Sequence, residues 1–136
     1  MHTQSQEDYL RAIYNIYEKN DQNVSSVEIA DFLGISKPAV SKMLKKLVEQ
    51  KLIKMKPYSS IVFTSKGLIE AKKLTRKHRV IEVFLVDILK IKKNKMHEEA
   101  HKLEHAFSDN TIKKLDNYLN NPKICPDGKD ISRLIK

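Results

Sequence analysis

The segment Val80-Ile-Glu-Val-Phe-Leu-Val-Asp-Ile-Leu89 constrains this chain more than any other. It closes a helical stretch that Ser65-Lys-Gly67 opens and that is expected to run from about Leu68 to Ile91. Only Glu82 and Asp87 interrupt the run. The helix is therefore apolar around most of its circumference and must be buried on several sides. A chain of 136 residues has little of its own surface to lay against such a helix. A second copy of the chain, in a homodimer, is the simplest cover. The run is too short to span a bilayer, which needs roughly 18–20 apolar residues. The N-terminus, Met1-His-Thr-Gln-Ser-Gln-Glu-Asp-Tyr-Leu10, has no basic region followed by an apolar one, so no secretory signal is expected. One cysteine, Cys125, excludes an internal disulfide and a four-thiolate zinc or iron–sulfur site. A cytoplasmic protein with no membrane partner is expected.

The rest of the chain divides into short elements. Leu10, Ile13, Tyr14 and Tyr17 mark a helix over about Glu7–Glu18 with Ser5 as its cap. Val27, Ile29, Ala30 and Leu33 mark a second, which begins after Ser25-Ser26 and stops at Gly34. A third runs from about Lys37 to Gln50, capped by Ser36, with Pro38 in the first turn, where a missing N–H costs nothing. Lys54–Thr64 reads as two short strands joined by a tight turn. Beyond the apolar run, helices are expected over about Lys95–Phe107 and Asp109–Leu119, stopping at Asn120-Asn121-Pro122 and leaving a tail that is mostly loop. The expected fold is mainly α: a winged helix-turn-helix domain over residues 1–72, then an all-helical domain over residues 73–136.

Charge assigns a role to the first half. The formal net charge is +9, and Gly34–Tyr58 holds Lys37, Lys42, Lys45, Lys46, Lys51, Lys54 and Lys56 against the single acid Glu49. Such a field gives affinity for phosphate without sequence information. Val40, Leu44 and Leu47 are expected to face inward. Ser36, Lys37, Pro38, Ser41, Lys42 and Lys46 are then left on the outer face of a recognition helix, and Lys56 on the wing. The expected partner is double-stranded DNA.

The second half carries a different chemistry. His97, His101 and His105 lie within nine residues. At about 100° per residue these three and Glu104 fall in an arc of roughly 100°. Imidazoles and a carboxylate converging beside a buried stripe (Met96, Ala100, Leu103, Phe107) suit a first-row divalent metal. His78 and Glu82, spaced i,i+4 on the preceding helix, can join His97 or its neighbours if the two helices pack antiparallel, and are otherwise a surface His–Glu pair. His97-Glu98-Glu99-Ala100-His101 also matches the H-E-x-x-H pattern of zinc hydrolases. A hydrolase would further need a third ligand and a substrate cleft.

With these residues in view, the chain resembles the diphtheria toxin repressor family of metal-dependent transcription regulators, especially its iron-dependent branch. The segments Glu7-Asp-Tyr-Leu-Arg-Ala-Ile-Tyr14, Ser36–Leu47, Thr64-Ser-Lys-Gly67, Arg76–Asp87, His97–His105 and Leu119-Asn-Asn-Pro122 carry the resemblance. It implies a regulatory metal site at Asp8, His101, Glu104 and His105, and an ancillary site at His78, Glu82 and His97. Iron-type members usually have methionine where this chain has Asp8 and cysteine where it has His101. Manganese-type members have aspartate at the first position, but glutamate where this chain has Arg11. The ligand set is thus a hybrid, harder than the usual iron form. Fe(II) is favoured, Mn(II) is compatible, and Zn, Ni or Co are expected to substitute in vitro. The third, SH3-like domain of many iron-type members is expected to be absent.

The resemblance also implies a mechanism. Metal joining Asp8 to His101, Glu104 and His105 would fix the recognition helices of a homodimer at the spacing of a pseudo-palindromic operator. Metal affinity is expected to fall as pH drops through the histidine range, because the ligands must be deprotonated. No organic small-molecule substrate and no enzymatic activity are expected. The rival readings are a winged-helix regulator that ignores metal, a small zinc hydrolase using His97–His101, and a zinc site that only staples the fold.

Overall fold

The computed structural model describes residues 3–134. The chain forms two compact units, the first ending at Ala71 and the second beginning at Lys72.

In the first unit, α1 (Gln4–Lys19) begins at a capping box. Thr3 Oγ1 accepts from Gln6 N at 3.1 Å, and Gln6 Oε1 accepts from Thr3 N at 3.1 Å. The cap is therefore Thr3, and Ser5, expected in that role, lies in the first turn: the reciprocal pair needs Gln6 three residues after the cap. α1 buries Leu10, Ala12 and Ile13. Tyr17 meets Tyr14 on one side and Phe63 on the other. A second capping box, Ser25 with Glu28, opens α2 (Ser26–Leu33). α2 ends at Gly34 with φ +66, a left-handed conformation that only glycine adopts without a Cβ penalty. α3 (Lys37–Glu49) starts at Ser36, whose Oγ accepts from Ala39 N at 3.3 Å.

Strands β1 (Ile53–Lys56) and β2 (Ser60–Phe63) pair antiparallel, with Ile53 opposite Phe63 and Lys56 opposite Ser60. A 3-10 turn, Pro57–Ser59, joins them, with Tyr58 fully exposed at φ +67. Backbone bonding ties β2 to the entry of α2, through Ile61 N to Val24 O at 3.0 Å. Thr64 locks the far end of the hairpin, donating to Lys51 O at 2.7 Å and accepting from Gly67 N at 3.0 Å. Gly67 sits so close to this turn that a Cβ there would lie 1.8 Å from Leu52 O. A steric requirement thus explains the glycine in Thr64-Ser-Lys-Gly67.

α4 (Ser65–Val83) is shorter than the apolar pattern implied. It passes into a π-helical turn, Phe84–Ile88, where Leu89 N reaches back to Phe84 O. The second unit is built on this segment. Val80 and Val83 pack against Cys125 and Ile131, with Leu115 and Leu119 beside them. Ile81 and Leu85 pack against Ala100 of α5 (Lys93–Glu104) and Ile112 of α6 (Asp109–Tyr118). Burying each such aliphatic side chain contributes about 1.5–3 kcal/mol. One protomer therefore covers most of the apolar run by itself, and its end stays exposed: Asp87, with Ile88 at 44% and Leu89 at 51%.

The tail does more than the expected loop. Ile124 bridges to Asp130, and Cys125, Ile131 and Leu134 are buried. Arg79, itself 2% exposed, donates to Asp130 O at 2.6 Å. Distant apolar residues decide this packing, so no local periodicity announces it. No helix among the described residues is long and apolar enough to cross a membrane.

Candidate nucleic-acid interface and metal centre

The basic face is laid out as its spacing requires. Val40, Leu44 and Leu47 are buried, and Ser36, Lys37, Pro38, Ser41, Lys42 and Lys46 are all exposed. Lys56 is exposed at the end of β1, beside the turn that carries Tyr58. Lys46 lies in the last turn of α3, where a cation offsets the helix dipole. Lys37, Ser41 and Lys42 sit towards the first turns, where a recognition helix meets base edges. The Ser36 hydroxyl is engaged as the cap, so its first duty is to begin the helix.

In the second unit the histidines of α5, though on one arc of the helix, divide between two groups. His78, Glu82 and His97 come together, each offering one ligand atom within 4.8 Å of the others. Glu82 Oε2 lies 3.1 Å from His78 Nε2 and 2.6 Å from His97 Nδ1, and the two nitrogens are 3.5 Å apart. The imidazole rings stack, 5.7 Å between centroids. His101 and His105 form a separate edge-to-face pair, 5.4 Å between centroids, around the C-terminal end of α5. His97 and His101 thus belong to different groups, and the paired imidazoles of a zinc-hydrolase helix are not assembled. Asp8 lies on α1 of the first unit and is half-buried.

Glu104 is buried and accepts from His78 Nδ1, 2.9 Å away. Spacing along α5 groups Glu104 with the histidines of its own helix and gives no sign of this contact with α4. Asp127 is a further partner, its Oδ2 lying 2.6 Å from His97 Nε2. No signal in the local sequence connects a tail aspartate to a histidine thirty residues earlier.

The donor set fits a divalent metal. Glu82 is 1% exposed, and no described donor meets its Oε2 with hydrogen-bond geometry although two ring nitrogens stand close by. Ligands at about 2.0–2.2 Å from a shared ion lie on the order of 3 Å from one another, as these three atoms do. Two imidazole nitrogens and a carboxylate oxygen form a borderline set suited to first-row ions. Burial pushes the Cys125 thiol up, more than hydrogen bonds from the Lys129 and Asp127 backbone lower it.

Comparison with known proteins decides the family. Residues 1–61 match the iron dependent repressor N-terminal DNA binding domain, and residues 64–133 match the iron dependent repressor metal binding and dimerisation domain. The chain belongs to the iron-dependent repressor family. It is 42% identical over 113 residues to an uncharacterised HTH-type transcriptional regulator of Methanocaldococcus jannaschii, covering 83% of this chain and 90% of that one. It is 32% identical over 128 residues to the iron-dependent repressor IdeR of Mycobacterium tuberculosis, covering 94% of this chain and 55% of IdeR. Among solved structures, the manganese regulator SloR superposes with a TM-score of 0.82 at 44% identity, over 93% of this chain and 58% of SloR. The chain thus spans little more than half the length of IdeR and SloR. The family is one of metal-dependent transcriptional regulators, which accounts for a DNA-binding half followed by a metal-binding and dimerisation half.

Proposed function

We propose that this chain is a metal-activated, homodimeric repressor that binds double-stranded DNA at a pseudo-palindromic operator in the cytoplasm and has no enzymatic activity. The observation that supports this best is the buried Glu82 carboxylate facing two imidazoles, within the half matched as metal binding and dimerisation. The basic face of α3 in the half matched as DNA binding supports the other end of the mechanism.

In this reading His78, Glu82 and His97 hold an ancillary ion. Asp8, His101, Glu104 and His105 form the regulatory set, as the resemblance implies. A divalent ion held there would supply positive charge to these carboxylate and imidazole ligands. Asp8, fixed on α1, carries the constraint into the helices that present Lys37, Ser41 and Lys42. Fe(II) is the favoured ion and Mn(II) the alternative: IdeR is named for iron and SloR for manganese. The oxygen- and nitrogen-only ligand set suits either.

The test uses the full chain with double-stranded DNA enriched from a random-sequence pool. After chelation, adding Fe(II) or Mn(II) anaerobically should tighten DNA binding by about 5–150-fold, the usual range of allosteric coupling. Unchanged binding would establish the metal-independent regulator. Loss of folded structure on chelation would instead establish a structural site.

A further inference from the structure

His97 is held from both sides. Its Nδ1 faces Glu82 Oε2, and its Nε2 lies 2.6 Å from Asp127 Oδ2. Asp127 belongs to the tail, yet its position is fixed as on a rigid element. Cys125 N donates to Lys129 O, and Gly128 N to Cys125 O, both at 2.8 Å, with Gly128 at φ +82 closing the turn. Ile131 N donates to Lys123 O at 2.7 Å, and the buried Arg79 guanidinium grips Asp130 O. Cys125 and Ile131 anchor this turn against Val80 and Val83, on the helix that carries His78 and Glu82.

We propose that Asp127 is a positioning residue of the His78–Glu82–His97 metal site, acting through His97. A ring that ligates through Nδ1 must carry its hydrogen on Nε2, and a carboxylate accepting that hydrogen fixes both tautomer and ring orientation. The other imidazole is braced the same way, with His78 Nδ1 backed by Glu104 Oε1. Lys93 lies 3.7 Å from Asp127 Oδ1, leaving Oδ2 for the ring. His97 has a side chain 59% exposed, so packing alone does not hold its ring. An exposed His–Asp pair adds little to folding stability, so the contact matters chiefly for binding. The proposal rests on the reading that these three residues bind metal.

Co(II) titration of the apo full-length chain tests it, because the visible d–d bands report the ligand set of each ion bound. His97→Gln assigns the titration step that belongs to this site. Asp127→Ala should weaken that step by about 10–100-fold, the usual effect of losing an outer-shell partner. Its apo melting temperature should match the unmodified chain's, and the remaining metal step should not move. Asp127→Asn, which keeps an oxygen acceptor, should recover most of the loss. Asp127→Ala binding within about twofold of the unmodified chain would overturn the proposal while sparing the metal site. So would a loss that tracks apo stability and that Asp127→Asn does not rescue. If His97→Gln removes no titration step, the ligand reading itself fails and the role of Asp127 falls with it.

Discussion

The two ends of α5 present histidines in opposite settings. Near its start, His97 meets His78 and the buried Glu82, all within one unit, with Asp127 and Glu104 behind the two rings. Around its end, His101 is exposed and His105 forms the helix cap, edge to face with each other. The first group is assembled by packing inside the second unit. The second group, in the proposed ligand set, needs Asp8 from a different unit. A site complete within one unit can hold an ion without reporting it. A ligand set drawn from both units is one way to couple them, and the proposed function therefore gives regulation to the second group.

The largest effect tests the first group. Glu82→Ala removes the carboxylate between the two imidazoles and should abolish one of the bound ions, counted by Mn(II) titration under equilibrium dialysis. Two ions still bound with unchanged affinity would dissolve the distinction between the groups. Asp8→Ala probes the second group: the metal-dependent gain in DNA affinity, about 5–150-fold, should disappear while the other ion still binds. Retention of the gain would move regulation to His78, Glu82 and His97.

Smaller effects should touch neither group. Lys42→Ala should cost about 1–3 kcal/mol in specific DNA binding if it reads a base, at unchanged metal affinity. Lys56→Ala should weaken binding almost equally for all sequences and reduce the salt slope by about one. A metal affinity altered by either lysine change in the absence of DNA would contradict the separation of reading from sensing. Glu98→Gln should change nothing measurable, since Glu98 is exposed and the hydrolase arrangement is not assembled. Any peptide hydrolysis abolished by that change would reopen the enzyme reading.

The DNA-reading half was legible because its signals are local. Gly34 stops one helix, Ser36 caps the next, and alternating burial of Val40, Leu44 and Leu47 leaves the lysines outside. The pair His78 and Glu82 was legible for the same reason, being four residues apart on one helix. The partition of α5 was not. Helical angle places His97 and His101 on one arc, but α4 and the tail decide which of them is engaged at the start of the helix. The tail was least legible: Asp127, Arg79–Asp130 and buried Cys125 depend on contacts between distant residues, which no periodicity encodes. The apolar run misled in one respect, since α5, α6 and the tail cover all but its end.

Linkage offers the most direct test of the central claim that metal and DNA favour the same conformer. Mn(II) affinity of the full chain is measured without DNA and then with saturating specific DNA. DNA should tighten metal binding by the same factor by which metal tightens DNA binding, because coupling free energy is reciprocal. An Mn(II) affinity unchanged by DNA would contradict it.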